Sequence, residues 1–146
     1  MEIVVTGIGL RSALGDRATT WRRLLSADSA LQMRQPFAEL RPRPLGMIAD
    51  RPSNLLDITH PLITDALLDA GLPTPLADCG VVLGSSRAQQ GAWEKLAKQW
   101  HLAPEQMDLT HWLETLPHAA ATAAARQIGT ESVVLAPMAA CATGLW

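Results

Sequence analysis

The residue of this sequence best suited to chemistry is a thiol set among small side chains. Cys141 stands in Ala139-Ala140-Cys141-Ala142-Thr143-Gly144, behind the apolar run Val133-Val134-Leu135. A short apolar, β-branched run reads as a strand. If that strand ends at Cys141 and turns sharply into a helix, the sulfur sits at a helix N-terminus. Unpaired N–H groups and the helix dipole there favour thiolate over thiol. The Cys141 amide could then donate to the oxyanion formed on an attacked thioester. Substrate must approach such a turn closely, and Ala139, Ala140, Ala142 and Gly144 leave room for it. A buried structural cysteine is the alternative that residue types leave open.

Other motifs offer less. Gly7-Ile8-Gly9-Leu10-Arg11-Ser12 imitates a dinucleotide-binding loop, but Ser12 replaces the third glycine, and a tight turn is expected instead. Cys141 lacks the flanking glycines of a hydrolase elbow. His60, His101, His111 and His118 have no metal-ligand spacing. No metal or cofactor is expected. Ser85-Ser86-Arg87 could touch a substrate or a second copy of the chain, or form a solvated loop.

The elements that would position the thiol alternate between strand and helix. Ile3 to Thr6 reads as a buried strand running into the Gly7–Gly9 loop. Gly15-Asp16 marks a turn, and Trp21, Leu24 and Leu25 share one face of a helix over about Arg17 to Ala27. Gln32 to Asn54, with Pro36, Pro42, Pro44 and Pro52, reads as an extended surface segment with room for one short strand. Phe37, Leu45, Met47 and Ile48 are available to pack it down. Thr59-His60-Pro61 predicts a helix start, with proline in the first turn, and Gly71 and Pro73 predict its end. Cys79 to Gly84 reads as a second buried strand. Trp93, Leu96, Ala97 and Trp100 line one face of the next helix. An Ala-rich helix is expected from Pro117 to Ile128, closed by Gly129. Val133 to Leu135 is the third strand, and Pro137 follows in the lead-up to the cysteine, where a central strand rarely tolerates proline. This alternation predicts a layered α/β fold.

Composition narrows the function classes. At 48% hydrophobic residues, the 146-residue chain is too apolar to be disordered. Its net charge of −2 gives no global field for nucleic acid or an anionic membrane, so neither is expected as a partner. Charge is uneven, however. Residues 1 to 51 carry eight Arg and five acidic residues, an excess of +3, and the remainder carries −5. That is a solvated surface or a docking face for an acidic partner. Cys79 and Cys141 are far apart, so neither a disulfide framework nor a zinc site is expected. The start, Met-Glu-Ile-Val-Val, has no cationic signal-peptide region. A cytoplasmic setting is expected.

The ordered set of motifs resembles a known family. Val4-Val5-Thr6-Gly7-Ile8-Gly9, Leu14-Gly15, Trp21 and Leu24-Leu25 resemble the opening of β-ketoacyl synthases, condensing enzymes of the thiolase fold. Ala66 to Leu72 is similar to the helix end that follows there, and Gly80 to Ser85 to the second strand. Leu116 to Ala120 and Ala125 to Gly129 resemble the helix before the nucleophile strand. Ala140-Cys141-Ala142-Thr143-Gly144 resembles the active-site motif. The resemblance implies a layered thiolase-like fold, of which residues 1–146 form an incomplete N-terminal half of the duplicated βαβαβαββ unit: a single truncated ketosynthase-like domain. It implies that Cys141 accepts an acyl group, with Ala140, Ala142, Thr143 and Gly144 binding substrate around it. It implies acyl carrier protein or coenzyme A thioesters as partners, in fatty-acid or polyketide synthesis, and a homodimer through Val133 to Met138. The family's decarboxylating histidines, or His and Asn, belong to its C-terminal half. The helix after Cys141 is likewise expected beyond this sequence, so the isolated chain is expected to be inactive. The alternative is a non-catalytic scaffold or chain-length partner subunit.

Overall fold

A computed structural model describes residues 2–50, 54–106 and 108–145. The chain divides into two compact units, Met1–Pro73 and Thr74–Trp146.

The first unit opens without the expected strand. Residues 2–10 carry no strand, and Ile3 and Val5 are 85% and 81% exposed. A β ladder needs a partner, and among the described residues these have none. Two short strands follow, β1 (Arg11–Ser12) and β2 (Gly15–Asp16), paired antiparallel. Helix α1 (Arg17–Leu25) is capped by Asp16, whose carboxylate accepts from the Thr19 N–H at 2.8 Å. Its apolar face does not become core: Trp21, Leu24 and Leu25 are exposed. The buried residue is Thr20, whose hydroxyl donates to the Gly15 carbonyl and pairs with the Ser12 hydroxyl at 2.7 Å, tying helix to hairpin. The segment expected to hold one strand holds two, β3 (Gln32–Arg34) and β4 (Arg43–Leu45), paired antiparallel. Phe37 and Ile48 stay exposed, while Leu45 and Met47 are half-buried.

Helix α2 (Leu55–Ala70) starts a turn earlier than Pro61 suggests. The Asn54 side chain accepts from the Leu56 N–H at 3.0 Å and fixes that start, so Pro61 lies inside the helix. Gly71 ends it as expected, in the left-handed region at φ 64°. Leu72 N–H reaches back to the Leu67 carbonyl at 3.0 Å, which satisfies one of the last free carbonyls.

The loop Gly7-Ile8-Gly9 lies directly on α2. A Cβ on Gly7 would come within 2.3 Å of the Ala66 carbonyl oxygen, and one on Gly9 within 2.1 Å of the Leu62 carbonyl oxygen. The glycines thus serve close backbone approach. Asp69 anchors the loop. It accepts from the Ile8 N–H at 2.9 Å and takes both prongs of the Arg17 guanidinium, while Arg11 pairs with Asp65 at 2.6 Å. The Arg17 guanidinium, aided by the Ile8 N–H, holds the Asp69 carboxyl below its ordinary value. Asp16 is lowered by the Thr19 N–H. A depressed carboxylate stabilises the fold above its unfolded value and loses that contribution as pH falls through its folded value. Acid should therefore loosen the Ile8 loop below about pH 3.9, the ordinary aspartate value. Protection of the Ile8 amide, its slowing of exchange relative to the unstructured chain at the same pH, should fall there, and Asp69→Asn should abolish the step. An unchanged step in Asp69→Asn would assign it to other carboxylates.

The second unit holds the apolar core. Strand β5 (Val81–Val82) pairs in parallel with β6 (Val134–Leu135), in register Val81↔Val134. The pairing extends past both strands: Ser85 N–H still reaches the Pro137 carbonyl at 3.3 Å. Proline has no N–H to return such a bond, and the assigned strand stops short of it. Both strands stand where expected, but Val82, Val133, Val134 and Leu135 are exposed rather than buried. Helix α5 (Ala119–Ile128) packs on both strands and buries Ala120, Ala121, Ala124, Ala125 and Ile128. Gly129 closes it in the left-handed region, as expected. The Thr130 hydroxyl then donates to the Ala77 and Cys79 carbonyls, which sets the helix end against the start of β5. Helix α3 (Gln90–Leu102) buries Leu96, as expected, but leaves Trp93 and Trp100 exposed. The Trp93 ring N–H donates to the Thr115 carbonyl at 2.7 Å. A 3₁₀ turn (Pro104–Gln106) and helix α4 (Leu109–Glu114) were not foreseen from the sequence. No helix among the described residues is long and apolar enough to cross a membrane.

Candidate functional site

Cys141 follows β6 through a short extended stretch and enters a 3₁₀ turn, Ala140–Leu145. The α-helix expected to begin there is not formed within these residues. The bonds present are of the tighter kind, with Ala142 N–H donating to the Ala139 carbonyl three residues back at 2.9 Å. The bend itself falls one residue before the thiol. Ala140 has φ 48°, in the left-handed region that a residue with a Cβ enters at a cost of roughly 1–2 kcal/mol.

Thr143 holds this bend. Its hydroxyl accepts from the Ala139 N–H at 2.9 Å and donates to the Ala140 carbonyl at 2.8 Å. It is 9% exposed, whereas Ala140, Cys141, Ala142 and Gly144 around it are exposed.

Cys141 is a free, exposed cysteine. Cys141 helps line a surface cavity of about 540 Å³, together with Val82, Gly84, Ser86, Pro137, Ala140, Thr143 and Gly144. Of the residues singled out in the sequence, the structure therefore brings Ala140, Cys141, Thr143 and Gly144 to the cavity and leaves Ala142 outside the lining. The other lining residues are Pro137 and three from β5 and its continuation. Val82, Gly84 and Ser86 are spaced by two, the period that puts strand residues on one face. Sequence reasoning missed Val82 and Gly84, although that spacing was available to find them. In the Ser85–Arg87 loop only Ser86 reaches the cavity. The Ser85 hydroxyl accepts from the Ala88 N–H, and Arg87 bonds the Gln90 side chain.

Apart from the thiol, no lining residue carries an acid or base. Among the described residues the lining thus presents one thiol, two hydroxyls and small or apolar side chains. Among the described residues no group of three or more His, Cys, Asp or Glu could hold a metal ion. Cys79 is also a free, exposed thiol. It lies outside this cavity, at the start of β5.

No protein-family model matches the chain, and no curated protein matches it. Solved structures do. The ishigamide ketosynthase/chain length factor superposes with a TM-score of 0.70 at 18% identity, over 94% of this chain and 39% of that one. A β-ketoacyl synthase from Burkholderia phymatum gives a TM-score of 0.70 at 18% identity, over 97% of this chain and 40% of that one. The chain spans about two fifths of the length of either structure. At this identity the likeness is one of fold. The chain carries part of the layered α/β fold, the thiolase-like fold, that these two ketosynthase structures have.

Proposed function

We propose that the chain is the N-terminal part of a β-ketoacyl synthase, with Cys141 as its acyl-accepting nucleophile. The observation that carries this reading is an exposed thiol on a cavity wall, just past a parallel strand of a ketosynthase-like fold. The Cys141 sulfur attacks the carbonyl of an acyl thioester, and the carrier thiol leaves with the proton. A malonyl thioester then loses carbon dioxide, and its carbanion attacks the acyl-Cys141 carbonyl. The cysteine thiolate leaves, and the β-ketoacyl product is two carbons longer. Ala140, Thr143 and Gly144, which line the cavity beside the thiol, give the acyl group room, while Ala142 lies outside the lining. Acyl carrier protein or coenzyme A delivers it, and the arginine excess of residues 1–51 suits an acidic carrier. Exposed Val133, Leu135 and Met138 suit a homodimer strand pairing. Two exposed free thiols suit the cytoplasm.

The cavity wall lacks an acid or base for the decarboxylation, so these 146 residues by themselves are expected to load acyl groups without condensing them. Incubation with an acyl-coenzyme A, followed by peptide mass analysis, tests this. Acyl adducts should accumulate on Cys141 faster than on Cys79, and added malonyl-coenzyme A should yield no β-ketoacyl product. Equal, slow modification of both thiols would sink the nucleophile. That outcome would favour the second reading, a non-catalytic scaffold or chain-length partner, which the likeness to the ishigamide ketosynthase/chain length factor suggests.

A further inference from the structure

We infer that Thr143, seated against Gly84, is the positioning residue that fixes the Cys141 thiol toward the cavity. This rests on the assignment of Cys141 above. Thr143 is the one buried side chain in an otherwise exposed wall segment, residues 140–144. Its hydroxyl spans the left-handed Ala140, binding the N–H before it and the carbonyl after it. Its methyl group packs where β5 continues: a Cβ on Gly84 would stand 2.7 Å from the Thr143 Cγ2. The strained peptide before the thiol is thus held from both sides, by hydrogen bonds and by a glycine that admits the methyl. A left-handed alanine persists where its surroundings over-determine it. Here that surrounding is the Ala142 N–H bond to the Ala139 carbonyl and one side chain, Thr143.

Three variants test the clamp: Thr143→Val, Thr143→Ser and Gly84→Ala. Thr143→Val keeps the shape but leaves the Ala139 N–H without its acceptor. Iodoacetamide alkylation, resolved by peptide mass analysis, is compared at Cys141 and Cys79 of the same molecule. Thr143→Val should slow Cys141 by about tenfold and leave Cys79 unchanged. Thr143→Ser, which retains the hydroxyl, should stay within about twofold of the parent, since both hydrogen bonds survive. Gly84→Ala, which displaces the methyl, should slow Cys141 as well. Parent-like labelling of Thr143→Val, equal slowing of both thiols, or failure of serine to rescue would each overturn the clamp. Hydrogen exchange at the Ala139 amide gives a readout independent of thiol chemistry. It should quicken in Thr143→Val and not in Thr143→Ser. If the parent thiols react alike, the proposed function falls, and this exchange alone decides the clamp.

Discussion

Cys141→Ala should leave the chain unable to take up an acyl group, while Cys79→Ala should load as the parent does. Both thiols are free and exposed, so access to reagent does not separate them. Position does. Cys141 lines a cavity together with Val82, Gly84 and Ser86, whereas Cys79 lies before β5 with its carbonyl engaged by Thr130. Removing a nucleophile eliminates the covalent step, and losses of about three orders of magnitude or more are usual. The measurement is the yield of thioester adduct after incubation with acyl-coenzyme A, read by intact mass. Loading that survives Cys141→Ala and vanishes in Cys79→Ala would move the nucleophile to the other thiol. Comparable partial loading retained in both variants would point to non-specific thiol exchange.

Gly9→Ala should destabilise the first unit by about 3 kcal/mol, the upper range for forcing an extra group into a packed site. Its Cβ would lie 2.1 Å from the Leu62 carbonyl oxygen, and helix backbone cannot swing aside as a side chain can. Gly7→Ala should act alike, through the Ala66 carbonyl oxygen. The control is Gly71→Ala. Nothing lies within 4 Å of a Cβ there, and the cost is the left-handed conformation alone, roughly 1–2 kcal/mol. Urea midpoints of the three variants, followed by far-ultraviolet circular dichroism, give the comparison. Equal shifts in Gly9→Ala and Gly71→Ala would mean that the loop lifts off α2 freely.

The helices were the most legible part of the sequence because their signals are local. Gly71 and Gly129 end α2 and α5 through their own backbone conformation, independent of what packs nearby. The start of α2 was misjudged because Pro61 looks like a first-turn proline until the Asn54 cap is seen holding the Leu56 N–H. The first expected strand failed for a different reason. Ile3 to Thr6 has strand composition, but pairing depends on a distant neighbour that composition does not name.

The site divides in the same way. Residue types alone marked Cys141 and the small side chains beside it, because a reactive thiol in a tight bend requires them. Tertiary structure decided what the thiol faces. Parallel pairing of β5 with β6 brings Gly84 against Thr143 and Val82 into the same cavity lining as Cys141, joining segments more than fifty residues apart. It also decided which apolar faces become core: α5 buries its alanines on the strands, while Trp21, Leu24 and Leu25 remain in solvent. Period and residue type fix which side chains share a face. Only chain closure over long separations fixes what that face meets, because the free energy of burial belongs to the pair of surfaces and not to either alone.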